Sequence, residues 1–147
     1  MNKFNTIKEV LDYAINKEME SQFFYLELAD FVEQPEMAKV LTDLASEELR
    51  HKEKLESVQV NQIALDDEDV GNLGITERIN DIEPDAKMDY LEMLVVGMKK
   101  EEHARQLYTN LASIVLNQQI RDMFIQLAQE EAGHKLRFEI EYELMTF

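Results

Sequence analysis

Two copies of one four-residue motif constrain this chain more than anything else in it. Glu48-Leu49-Arg50-His51 and Glu131-Ala132-Gly133-His134 both read Glu-x-x-His. On a helix, residues three apart share a face, so each Glu and its His can aim at one target. That face is apolar in both places. Leu41, Leu44, Glu48, His51, Leu55 and Val58 follow the 3-4 spacing of a helix-bundle seam, as do Phe124, Leu127, Glu131, His134 and Phe138. Two carboxylates and two imidazoles are therefore directed into a core rather than at water.

The motifs lie 83 residues apart, and the same offset without a gap aligns much more of the chain. It places Glu18 on Glu101, Tyr25 on Tyr108, Leu28-Ala29 on Leu111-Ala112, and Lys52 on Lys135. The chain reads as two related halves, each a pair of helices. In each half a further Glu precedes the motif Glu by 30 residues. Glu18 lies on the seam Ile7, Leu11, Ala14, Ser21, Tyr25, Leu28, and Glu101 on Tyr90, Leu94, Gly97, Ala104, Tyr108, Leu111. A turn near Gln34-Pro35, and another near Asn117-Gln118, puts each of these Glu about four helical turns before the reversal and its Glu-x-x-His about four turns after it. Antiparallel packing then brings all six side chains to one level.

Four carboxylates in one core require positive charge. Two of them about 5 Å apart repel by about 3 kcal/mol at an effective dielectric near 20. None of the four seams carries Lys or Arg, and two histidines cannot balance four acids. Divalent metal ions supply the missing charge; without them the site must hold protons and lose stability. Glu18, Glu48, His51, Glu101, Glu131 and His134 are the expected ligands. Oxygen-rich ligation with one His per ion suits iron or manganese, and zinc can occupy such a site adventitiously. Tyr25 and Tyr108 lie seven residues, two turns, beyond Glu18 and Glu101 on the same face. Their hydroxyls are placed to reach ligand carboxylates of the opposite helix pair. Glu47 and Glu130 are one step off the seam and are left out of the site. His103 is likewise off the seam and is expected at the surface.

The rest of the chain frames this core. At 147 residues it is a single domain, with helix pairs expected over about 6–58 and 84–145 and a crossover over about 59–83. Pro84 is the expected opening of the third helix. The crossover is too long for a tight turn and suits parallel second and third helices; its acidic run Leu65-Asp66-Asp67-Glu68-Asp69 reads as a solvated loop. The aromatic residues Phe23, Phe24 and Phe31 are expected to widen the core contact of the first helix, with packing of Phe23 and Phe24 on a partner subunit the alternative, and Tyr142, Leu144 and Phe147 are candidates to tie down the last. No cysteine is present, which excludes disulfides, thiolate zinc and cysteine-ligated iron in these residues and fits a reducing cytoplasm. The formal charge of −16 argues against nucleic acid and anionic membrane surfaces. The first residues lack the pattern of a signal peptide, and no apolar run is long enough to span a bilayer.

One Glu from each of two helices with Glu-x-x-His from each of the other two is the ligand set of di-iron and di-manganese centres in ferritin-like four-helix bundles. Glu18 and Glu101 stand for the single Glu of two helices, and Glu48/His51 and Glu131/His134 for the paired ligands of the other two. With the pairs Glu18/Tyr25 and Glu101/Tyr108, the chain resembles the rubrerythrin branch of that superfamily over essentially its whole length. The resemblance implies an all-α ferritin-like bundle and a non-haem di-iron site that reacts with hydrogen peroxide or dioxygen. It implies Glu48 and Glu131 as bridging ligands, with Glu18, His51, Glu101 and His134 terminal. Two departures stand out. The cysteine-ligated rubredoxin-like centre is missing, so electrons come from an external donor protein. The extra Glu that rubrerythrins proper carry one turn after the first Glu of helix 3 is Ala104 here, which leaves a symmetric six-ligand site and weakens the case for ligand switching. The expected function is a di-iron oxidoreductase that reduces peroxide or dioxygen, active in oxidative stress. An iron-handling ferroxidase or storage protein and a structural dimetal-binding bundle are the alternatives. A homodimer is the expected assembly, and the long crossover leaves exchange of helices between its subunits open.

Overall fold

The computed structural model describes residues 4, 6–61 and 89–147, the side chains of residues 60 and 61 excepted. Four helices account for nearly all of them: α1 (Ile7–Phe31), α2 (Pro35–Asn61), α3 (Tyr90–Ile114) and α4 (Gln118–Thr146). The repeat governs their ends. The offset of 83 carries the first residues of α1 and α2 onto the first residues of α3 and α4, and the last residue of α1 onto that of α3.

Local chemistry sets these boundaries. The Thr6 hydroxyl accepts from the Glu9 amide and starts α1. Val32 is extended and closes it, its own N–H reaching the Leu28 carbonyl. Pro35 occupies the first helical position of α2, where its missing N–H costs nothing. Asp89 and Glu92 form a reciprocal capping box at the start of α3. Asn117 caps α4 by accepting from the Ile120 amide. Pro84 lies outside the described residues, and the third helix as described begins at Tyr90. Most of the expected crossover, including the acidic run, also lies outside them, while α2 runs three residues past its expected end, to Asn61.

The helices pack chiefly as two hairpins, α1 with α2 and α3 with α4. The hairpins meet across a core that has two apolar ends. One end gathers Leu11, Leu55, Leu111, Phe124 and Leu127; the other gathers Phe24, Leu28, Leu41, Leu94 and Phe138. The first end takes the start of α1 and α4 and the finish of α2 and α3; the second takes the reverse. Helices α2 and α3 therefore run parallel, as a crossover connection requires, and this is the ferritin-like arrangement. At the second end Gly97 lets the helix approach closely, since a Cβ there would sit 3.1 Å from the Phe138 ring.

Some expectations need correction. Phe24 is in the core, but Phe23 and Phe31 are 57% and 52% exposed. Tyr142 packs against the second apolar end, whereas Leu144 and Phe147 are exposed and hold nothing down. His103 is half-buried rather than on the surface, its ring 3.2 Å from the Tyr13 hydroxyl.

Candidate metal centre

Between the two apolar ends lies a layer of buried polar groups. Glu18 from α1, Glu48 and His51 from α2, Glu101 from α3, and Glu131 and His134 from α4 are each at most 5% exposed. Each helix was expected to present its residues inward, and each does, because the acids and imidazoles occupy seam positions between Leu and Phe.

The six side chains form two overlapping groups. Glu18, Glu48, His51 and Glu131 each bring a donor atom within 4.8 Å of the others. Glu48, Glu101, Glu131 and His134 do the same. Glu48 and Glu131 belong to both groups, so they are the carboxylates positioned to bridge two ions. The imidazole rings are parallel, tilted by 7°, with centroids 6.0 Å apart.

The donors face a common interior rather than each other. His51 Nδ1 lies 2.9 Å from Glu131 Oε1, and His134 Nδ1 lies 3.1 Å from Glu48 Oε1. Neither contact is aligned as a hydrogen bond, and the same atoms, with Glu18 Oε2 and Glu101 Oε2, are buried without a hydrogen-bond partner. Buried polar atoms of this kind are costly unless something satisfies them. Their number, their convergence and their oxygen-and-imidazole chemistry fit two divalent cations.

Electrostatics tells the same story. Burial, then the charges of Glu131, Glu18 and Glu101, drives the Glu48 carboxyl well above the usual range. Burial and the charges of Glu101 and Glu18 do the same to Glu131. Burial alone would lower both imidazoles, but the carboxylates around them outweigh it. His51 is raised, and His134 is pushed up to about 9. Without cations the layer is held together by protons.

The two tyrosines cross between hairpins. Tyr25 donates to Glu101 and Tyr108 donates to Glu18. Each is fully buried in an apolar end, and burial followed by nearby carboxylate charge raises both phenols well above 10. They remain protonated donors that fix the acids of the opposite pair.

Glu47 and Glu130, set aside on helical phase, belong beside the site. His134 Nε2 is 3.2 Å from Glu47 Oε2, and His51 Nε2 approaches Glu130 Oε1 at 3.6 Å. Each half-buried acid thus faces the outer nitrogen of the imidazole on the opposite hairpin, leaving Nδ1 toward the interior. A carboxylate behind a ligating histidine orients the ring and raises its basicity. The signal that could have found them was the repeat, since Glu47 and Glu130 are themselves 83 residues apart.

Known proteins give an independent view. The rubrerythrin family model matches residues 9–142, more than nine-tenths of the chain. The chain belongs to the rubrerythrin family. Among solved structures, a ferritin-like diiron-carboxylate protein from Thermotoga maritima superposes with a TM-score of 0.78 at 18% identity, covering 99% of this chain and 100% of its own. The manganese catalase KatB from Anabaena superposes with a TM-score of 0.70 at 17% identity, covering 99% and 75% respectively. At such identities the two neighbours speak for the fold alone. No curated protein matches the sequence. Within this rubrerythrin-family fold, no described helix is long and apolar enough to cross a membrane.

Proposed function

We propose that this protein is a dimetal carboxylate oxidoreductase that reduces hydrogen peroxide, or dioxygen, at a non-haem di-iron centre with electrons from an external donor protein. The observation that carries the reading is the pair of overlapping four-donor groups that share Glu48 and Glu131. Glu18 and His51 would complete one ion's ligands, and Glu101 and His134 the other's. The pair of ions, when bound, supplies two electrons and Lewis acidity to a small oxidant.

The chain's own residues do the rest. Tyr108 and Tyr25 hold Glu18 and Glu101 in place through donated hydrogen bonds. Glu130 and Glu47 lie 3.6 and 3.2 Å from the outer nitrogens of His51 and His134, which have no hydrogen-bond partner, and a small approach would let these acids orient the imidazoles. The apolar ends keep water from the buried acids, which strengthens every charge interaction among them. These residues hold no cysteine and so no cysteine-ligated relay, and the proposal assigns reduction to an external donor.

Anaerobic reconstitution with two Fe(II) per chain, followed by stopped-flow mixing with peroxide or dioxygen, tests the proposal. Near-ultraviolet absorbance of the oxidised pair is the signal. Much faster oxidation by peroxide is the expected result. Oxidation mainly by dioxygen that continues with excess iron would replace this reading with iron handling. No oxidation by either would leave a structural dimetal bundle.

A further inference from the structure

A small cavity sits beside the metal layer, between α1 and α3. Lys17, Glu18 and Ser21 line it from α1, and Lys100, Ala104 and Tyr108 line it from α3. Two pairs among these are equivalent by the 83-residue offset, Lys17 with Lys100 and Ser21 with Ala104. The helices therefore face each other here with a small residue on both sides, and neither side chain fills the gap. The cavity offers about 20 Å³ to the centre of a water-sized molecule, enough for one guest of very few heavy atoms. One wall is the Glu18 carboxylate, whose Oε1 accepts from Tyr108 and whose Oε2 has no hydrogen-bond partner.

Charge distinguishes this opening from the rest of the molecule. The chain carries a formal −16, and that field repels anions from most of its surface. Here two half-buried lysines flank the approach. The Lys17 ammonium lies 5.5 Å from the centre of the Tyr13 ring and pairs with Glu20 at 3.1 Å; the Lys100 ammonium lies 5.7 Å from the centre of the Phe24 ring. Four ligand carboxylates and two divalent ions sum to zero, so a metal-loaded layer would not repel an anion that entered beside Glu18.

We propose that this cavity is the entry port and docking pocket for a guest of two or three heavy atoms on its way to the metal layer, and that its lysines favour a small monoanion such as azide over a neutral molecule. The inference rests on the dimetal reading above and adds a route and a charge preference to it. Lys17 and Lys100 select the guest by charge, and Ser21 and Ala104 select it by size.

Azide is the probe, titrated into the iron-loaded, oxidised protein by its absorbance change at low and high salt. Nitric oxide binding to the ferrous form is the neutral control. Metal content and helicity are measured first for every variant. Lys17→Glu combined with Lys100→Glu is expected to weaken azide about tenfold at low salt, less at high salt, and to leave nitric oxide unchanged. Ala104→Leu, and Ala104→Val should the larger side chain prevent folding, is expected to slow association of both probes about tenfold or more. Azide binding that ignores the lysine charges, or association that ignores the residue at 104, in proteins holding two ions per chain overturns this inference alone. Wild-type protein that takes up no metal overturns the dimetal reading and this inference with it.

Discussion

At the scale of single residues, the buried acids make opposite demands with and without metal. Glu48→Gln puts a permanently neutral amide where the metal-free fold must otherwise protonate a buried acid. The metal-free variant should therefore melt higher than metal-free wild type, while its affinity for two ions should fall by a hundredfold or more. Calorimetry on both forms checks the pair of signs; destabilisation of the metal-free protein would mean Glu48 is held by something other than cations. The pH dependence follows from the same groups. Glu48 and Glu131 are raised in the fold above their ordinary value near 4.5, and His134 is raised from 6.5 to about 9. A raised group contributes stability below its unfolded pKa and loses it as pH climbs toward its folded one. Metal-free protein should thus lose melting temperature steadily from about pH 5 to pH 9, and metal-loaded protein should be flatter. A metal-free protein that grows more stable over that range would contradict the protonated layer. Glu47→Gln and Glu130→Gln should each weaken metal binding by roughly tenfold or more at unchanged helicity, measured by competition with a chelator. Unchanged affinity would reduce those acids to surface charges. The sequence exposed the six donors and the two tyrosines because each sits on its own helix's seam. It hid Glu47 and Glu130 because their partners are imidazoles on the other hairpin, which helical phase alone cannot see.

At the scale of elements, helix ends proved easier to read in some places than others. Pro35 and Asn117 mark their boundaries through covalent geometry and a side-chain cap, and both were legible. The capping box of Asp89 and Glu92 sets the described start of α3, and the offset from Ile7 points to the same Tyr90, while Pro84 lies outside the described residues. Asp89→Ala should cost about 1 kcal/mol, read as a lower denaturation midpoint with an unchanged slope. No change would show that the cap is replaced by water. Phe23 and Leu144 misled because an apolar residue next to a seam has the same composition whether it is covered or not. Only the packing of the neighbouring helix decides, and that helix is not written in the local pattern.

At the scale of the whole molecule, the metal layer is the junction between two hairpins that otherwise pack mainly within themselves. Removing metal should therefore loosen the seam between hairpins before it melts either one. With free metal about a thousandfold above its dissociation constant, binding should add about 4 kcal/mol to stability, or roughly 10 °C in melting temperature. Hydrogen exchange on the metal-free protein should show its gains on seam positions of α1 and α3 flanking Glu18 and Glu101. Uniform gains along all four helices would argue that the hairpins are not separable units.

Each four-donor group draws unevenly on those hairpins. The first supplies Glu18, Glu48 and His51 to one group and takes Glu131 from the second; the second supplies Glu101, Glu131 and His134 to the other and takes Glu48 in return. Each hairpin is thus complete but for one carboxylate, and what it lacks is a residue it already owns in its other role. A single hairpin gene could have made the whole site by pairing with its own product about a twofold axis. Duplication and fusion would then have joined the two copies, freeing each to diverge. Ser21 and Ala104, one position in two copies, differ beside carboxylates that both copies keep.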